Sequence, residues 1–164
     1  MAIKRILVPL DFSDDSLKAL TYARQFGRPF GAELVLLYVV EPIYYATPAD
    51  MYATSANVAM LIDEQRRAGT QQLKRIGADL QKAGQRFRTL LKTGSAAQSI
   101  VDTAKTVKAD MIIMATHGRT GLAHMFVGSV AEKVVRTAAC AVLTVRGAAA
   151  KKAARTPRRA AKKR

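Results

Sequence analysis

Residues 115–129, ATHGRTGLAHMFVGS, carry the densest set of groups able to do chemistry. Gly118 and Gly128 bracket nine residues, and Ser129 follows the second glycine. Glycine lets main-chain N–H groups approach a ligand closely and permits positive φ. Gly128 and Ser129 stand where a helix is expected to begin, so unpaired N–H groups and the helix dipole favour an anion there. Arg119 and Lys133 add positive charge. A phosphate cradle needs these features. So does an ordinary glycine-bearing connection before a capped helix, and the residues alone leave both readings open.

A second candidate lies in PLDFS, residues 9–13, where Asp11 either binds the following turn or faces a ligand. His117 has no acid adjacent in sequence to orient it as a base, which favours a loop-shaping or polar-lining role, and His124 reads as a solvent-facing loop residue. Several chemistries are excluded by pattern. The chain has no G-x-x-x-x-G-K-[ST], no G-x-G-x-x-G, no H-E-x-x-H and no Cys/His cluster. No nucleophile with a convincing base partner stands out, so a dedicated hydrolase is not expected.

The elements that must position these groups follow from the apolar periodicity. IKRILVPL (3–10), ELVLLYVV (33–40), RFRTLLK (86–92), MIIMA (111–115) and AVLTVR (141–146) read as strands, most of them buried on both faces. Between them lie four helical stretches. The first starts after Ser13 as N-cap with Asp14 and Asp15 in its first turn, and ends near Gly27–Gly31. The second spans roughly 55–83, with Leu61, Leu73, Ile76 and Leu80 on its apolar side and Gly84 as the residue that ends it. Ser95 with Gln98, and Ser129 with Glu132, have capping-box spacing for helices reaching about Ala109 and Ala139. The resulting βαβαβαβαβ order predicts a doubly wound α/β domain with a five-stranded parallel sheet covered on both faces. Such sheets bind ligands beyond the carboxyl ends of their strands, where strand order reverses. If the first and fourth strands are neighbours, the loops carrying Asp11 and Gly118 face each other across one crevice.

The bulk properties agree. A chain of 164 residues with 49% hydrophobic and 24% charged residues suits one globular domain. No apolar run is long enough to cross a bilayer and no signal peptide is evident, so no membrane insertion and a cytoplasmic location are expected. The single cysteine, Cys140, forbids an intrachain disulfide and reads as a small core residue, and Met111, Met114 and Met125 read as ordinary packing. Of the net charge of +15, eight cations fall in residues 147–164, which hold no acid, leaving +7 on residues 1–146. That tail, GAAAKKAARTPRRAAKKR, has no apolar periodicity and is expected to be disordered when free.

Three stretches together, ILVPLDFSDDSLKAL, LLYVVEP and MATHGRTGLAHMFVGSVAEKVVRTAACAVLTVR, resemble the universal stress protein family over residues 1–146. The nucleotide-binding branch of that family carries G-x-x-G, nine residues, then G-[S/T]. Here Gly118, the nine residues and Gly128–Ser129 match, and the first glycine falls on Ala115. The resemblance implies a Rossmann-like sheet of strand order 3-2-1-4-5, and ATP, with Mg²⁺, as the ligand. It implies that the loop of Pro9, Leu10 and Asp11 meets adenosine and that the Val39 backbone reads adenine. Ala115 would lie beside the ribose, with Met114 next to it in the expected nucleotide site. His117, Gly118, Arg119, Gly128, Ser129 and Val130 would form the phosphate-contacting loop and helix start. A methyl at 115 excludes ATP only if that position needs positive φ or direct ligand contact.

The expected function is a nucleotide-responsive stress regulator with at most slow ATP hydrolysis. The alternatives are a stress protein of the non-nucleotide branch acting through protein contacts, and a polyanion-binding module using the basic tail on DNA or RNA. The family commonly pairs through its last strand, so a homodimer through residues 141–146 is also expected.

Overall fold

The computed structural model describes residues 3–42, 55–117 and 128–146. Alternation along the two central strands organises everything else. In β1 (Arg5–Leu10) and β2 (Glu33–Val40), successive apolar side chains point to opposite faces, and both faces are covered. Ile6, Val8, Leu34, Leu36 and Tyr38 enter one core with Ala19, Ala23, Leu73 and Leu80, contributed by α1 (Asp14–Gly27) and α2 (Ser55–Lys82). Leu7, Val35 and Leu37 enter the other with Ile100, Val101, Ala104 and Val134, contributed by α3 (Ala96–Val107) and α4 (Ser129–Thr137). The remaining strands are β3 (Phe87–Thr93), β4 (Met111–Ala115) and β5 (Ala141–Val145). All neighbouring pairs are parallel, in the order β3-β2-β1-β4-β5, as expected.

Local signals decide most element ends. Ser13 caps α1 by accepting from the Ser16 N–H at 3.3 Å. Gly84 ends α2 at φ +64°, and Gln85 N–H reaches back to the Leu80 carbonyl at 3.0 Å. Two helical glycines of α2 have a steric reason. A Cβ at Gly69 would overlap the Tyr38 ring, and one at Gly77 would stand 2.7 Å from Phe87 Cε2. They let the helix lie directly on aromatic side chains of β2 and β3.

Four expectations need correction. Leu61 is exposed, beside the exposed Met60. A 28-residue helix is about 42 Å long, which outruns an eight-residue strand of about 26 Å, so the N-terminal turns of α2 overhang the sheet. The Ser95/Gln98 capping box does not form. Glu41 Oε1 instead takes the Ala96 N–H at 2.6 Å, and Gln98 donates to Asp102. Helix α3 stops at Val107, because Lys108 adopts a left-handed conformation (φ 53°) and Ala109 lies beyond it. In α4 the N-cap is Gly128, not Ser129, so the second capping box is also absent, and the helix ends at Thr137. Glu132 instead faces Arg136 at 3.6 Å.

At the opposite end of the sheet from the candidate loops, Asp110 ties β4 to β1. One of its carboxylate oxygens accepts the main-chain N–H groups of Lys4 and Arg5 at 2.7 and 2.8 Å. Those two bonds hold its pKa below the ordinary carboxylate value, with Arg5 the larger contributor. Cys140 is half-buried against the second core, and that burial pushes its thiol pKa up.

Candidate functional site

Along β1 and β2 every residue pair from Arg5–Glu33 to Leu10–Tyr38 is in register, and β4 pairs with β5 along its whole length. Between β1 and β4 the registered pairs are Ile6–Met111 and Leu7–Ile112, with none beyond. The ladder between these two adjacent strands stops there. Pro9, which has no N–H to give to a ladder, lies two residues past the last β1 pair. Strand order also reverses here, since β1 leads outward to β2 and β4 leads outward to β5 on the other side. The carboxyl ends of β1 and β4 thus flank the topological switch point, the place where such sheets take a ligand in a crevice.

The β1 side is a tight turn. Asp11 Oδ1 accepts from the Ser13 N–H at 3.1 Å and from the Ser13 hydroxyl at 2.6 Å, so the turn-binding role is real, and Asp11 makes further contacts besides. Phe12 is left-handed at φ 65°, an uncommon state for a bulky residue that costs on the order of 1–3 kcal/mol. Its ring rests on Tyr38 with centroids 4.7 Å apart, which helps to hold that conformation.

On the β4 side, Thr116 is buried, donates its N–H to the Val145 carbonyl at 3.0 Å and accepts the Gly128 N–H at 2.8 Å. That bond brings Gly128 against the residue that follows β4. Thr116 Oγ1 lies 3.0 Å from His117 Nδ1 and so orients the ring, in keeping with a loop-shaping histidine. Gly128 is a glycine for steric reasons. Its φ is −67°, but a Cβ there would stand 2.8 Å from the Thr116 carbonyl oxygen.

From Gly128 the chain enters α4. The first intrahelical bond is Glu132 N–H to the Gly128 carbonyl at 2.9 Å, so the N–H groups of Ser129, Val130 and Ala131 precede the helix's own ladder. No side chain among the described residues caps this end. The other capped starts differ: α1 has Ser13, and α3 has Glu41.

The remaining site residues fall along the same edge of the sheet. Val39, the last residue but one of β2, is half-buried and in register with Lys92. Leu10 and Met114 are core side chains, 4% and 5% exposed, so only their main chains can face the crevice. Ala115 is half-buried and paired with Val145. Its backbone does not have positive φ; among described non-glycine residues only Phe12 and Lys108 do. One of the two conditions under which its methyl would matter is thus removed. Gly118 and Arg119 lie outside the described residues, as do His124 and Met125. Lys133 is exposed on the second turn of α4. Thr116 and Glu41 were not legible as site residues, because a lone Thr or Glu at a strand end carries no pattern.

The model of the Universal stress protein family matches residues 2–146. This chain belongs to the universal stress protein family. The universal stress protein MJ0531 of Methanocaldococcus jannaschii is 35% identical over 144 residues, spanning 87% of this chain and 82% of that one. Universal stress protein UspA from Lactobacillus plantarum superposes with a TM-score of 0.79 at 27% identity, over 89% of this chain and 99% of its own. The structure of protein MJ0577 gives the same TM-score at 26% identity, over 90% and 99%. Among the described residues, no three His, Cys, Asp or Glu side chains cluster to hold a metal, and no helix is long and apolar enough to cross a membrane.

Proposed function

We propose that the crevice between β1 and β4 binds ATP or a related adenine nucleotide, and that the chain is a regulator whose state follows that ligand. The observation that carries this is the start of α4. Three main-chain N–H groups without a side-chain cap stand at the switch point, beside strands whose ladder has stopped. Phosphate oxygens satisfy such donors, and Mg²⁺ would enter bound to the phosphates, since the described residues offer it no carboxylate cluster. Asp11 and Val39 are read as the residues that meet the adenosine end. Gly118 and Arg119 complete the reading from sequence. Two solved proteins of this fold carry related ligands in their descriptions, a universal stress protein with cAMP at 24% identity and an Arabidopsis thaliana family member with AMP at 20%. At those identities they support the fold, and the ligand is argued from this crevice. The sequence offers no convincing base partner, so hydrolysis is expected to be slow at most.

Titration calorimetry with MgATP on the full chain tests the proposal. Heat of binding is expected, with a rise in melting temperature. A ligand held by the native state alone adds about 2.7 kcal/mol at a hundred times its Kd. No heat and no shift at millimolar nucleotide would favour the non-nucleotide branch, acting through protein contacts. Two further readings belong to the same proposal. β5 is an edge strand of the sheet, with Val142 and Leu143 half-buried, which supports a homodimer through that edge. The eight cations of residues 147–164 support sequence-independent contact with nucleic acid.

A further inference from the structure

A cleft of about 620 Å³ lies at the other end of the molecule from the crevice. One wall is the C-terminal part of α1 and the 3-10 turn Arg28–Phe30; the other is the end of α2 and the first residues leading into β3. Arg24 and Arg28 reach it from the first wall and Arg86 from the second, with no acid in the lining and Ala83 its only apolar side chain. None of the three guanidinium groups has an ion pair or side-chain hydrogen bond among the described residues. Arg5, Arg67, Arg88 and Arg136 each face a carboxylate, and Arg66 donates to Thr93.

The walls are tied to each other. Gln85 Nε2 donates to the Ala32 carbonyl at 2.8 Å, which joins the end of α2 to the turn before β2. Gly31 and Gly84 line the rim, and both are left-handed, so glycine is favoured there by the backbone and not by lack of space. Helix C-termini favour nearby cations, which accounts for a basic residue at each end, yet Arg86 stands beyond α2 and faces the same space. Three unpaired cations around one concavity raise each other's energy and focus a positive potential into it.

We propose that this cleft is a second ligand site, for a compact oligophosphate. Ala83 is the only apolar side chain in the lining and three arginines share it, so charge must supply most of the affinity. Guanidinium forks that arrive from two walls suit a tetrahedral phosphate, whose oxygens point in several directions, better than a carboxylate, which accepts in one plane. A duplex is too wide to enter, so the occupant is a small molecule.

The test uses the full chain and sodium tripolyphosphate, with hydrogen exchange to locate binding and calorimetry to measure it. Protection is expected at residues 21–31 and 83–86. R24Q/R28Q/R86Q should weaken that binding more than tenfold. The control R67Q/K74Q/R75Q, equal in charge change and on the exposed face of α2, should change it less than twofold. Citrate, a tricarboxylate, at the same concentration should bind at least tenfold more weakly. Equal losses in the two variants would mean that only net charge is felt and would overturn the proposal. So would protection confined to the α4 start or the tail, equal binding of citrate, or the same protection by random-sequence duplex DNA.

Discussion

The N–H of Gly128 donates to the Thr116 carbonyl at 2.8 Å, and a Cβ on Gly128 would stand 2.8 Å from that same oxygen. This contact therefore requires a residue without a side chain. Gly128→Ala should push residues 116 and 128 apart by a few tenths of an ångström and tilt the first turn of α4. Its cost is expected at about 1–3 kcal/mol, the range of a small overpacking. MgATP affinity should fall at least tenfold while the far-ultraviolet circular dichroism stays unchanged. Full affinity in Gly128→Ala would show that α4's start does not hold phosphate.

Ala115→Gly is the opposite case. With no positive φ to relieve, the substitution gains no backbone comfort and should lower stability by about 0.5–1 kcal/mol, the usual cost of glycine within a strand. Removing the methyl can only widen the crevice, so nucleotide affinity should hold or rise. Thermal melts with and without MgATP separate the two effects. A loss of affinity would place the methyl in favourable contact with the ligand.

The turn after β1 is supported from a distance. Gly69 admits the Tyr38 ring, and Tyr38 supports the left-handed Phe12 beside Asp11. Gly69→Ala must displace the ring or the helix, and should cost about 1–3 kcal/mol. Because the displaced ring is Phe12's support, nucleotide affinity should fall as well. A stability loss with unchanged affinity would mean that Phe12 keeps its conformation without Tyr38.

These relationships mark where sequence reading succeeds and stops. The continuous apolar runs in RILVPL and ELVLLYVV predict strands buried on both faces, because nothing competes with that burial. Gly84 is legible as a helix end because its signal is local. Ser95 looked equally local, yet Glu41 from the end of β2 takes the N–H of Ala96, and no pattern within the helix announces a rival from another element. Leu61 has the right spacing for the core, but its burial depends on where the sheet ends beneath it. Phe12 carries no mark of a left-handed backbone. Of the candidate site, Asp11 and Gly128 were named from the sequence, while Gly118 lies outside the described residues. Thr116, which accepts the Gly128 N–H, was not legible.

Asp110 makes stability depend on acid. Its folded pKa is depressed, so the stabilisation is complete above the ordinary carboxylate value and is lost as pH falls through the lower folded one. Asp110→Asn keeps the shape and weakens both acceptor bonds. At this partly exposed site a loss of about 1–2 kcal/mol at pH 7 is expected, at the low end for hydrogen bonds to a charged group. The deficit relative to the unmodified chain should narrow below about pH 3.9. Urea melts at pH 7 and pH 3 decide it; a constant difference would mean that the carboxylate charge contributes nothing.

β5 pairs with β4 on one side and has no strand partner on the other among the described residues. An open edge of a parallel sheet favours pairing with a second copy about a two-fold axis. Val142→Pro removes one main-chain donor there and should shift a dimer to monomer in sedimentation at micromolar concentration. If Val142 donates inward to β4, the substitution will instead lower the melting temperature. Thr144→Pro two residues on would do the same, so Leu143→Pro serves as the opposite-phase variant. A monomer for the unmodified chain would end the dimer proposal directly.

Residues 147–164 lie outside the described residues, so their role is argued from charge alone. The chain enters this segment just after Arg146, whose carbonyl accepts from Lys18 Nζ at 3.3 Å at the C-terminal edge of the sheet. Eight cations spaced by small residues can track a phosphate backbone without reading bases. If all eight met duplex phosphates, the slope of log K against log salt would approach about −7. Fluorescence anisotropy with random-sequence DNA and RNA at several salt concentrations measures that slope. Truncation after Arg146 should remove most of the affinity, leave the melting temperature unchanged within about 1 °C because the tail carries no apolar residue larger than alanine, and leave the MgATP response intact. Equal binding by the two forms would move the nucleic-acid contact to the folded domain, and no binding by either at low salt would leave the tail without that role.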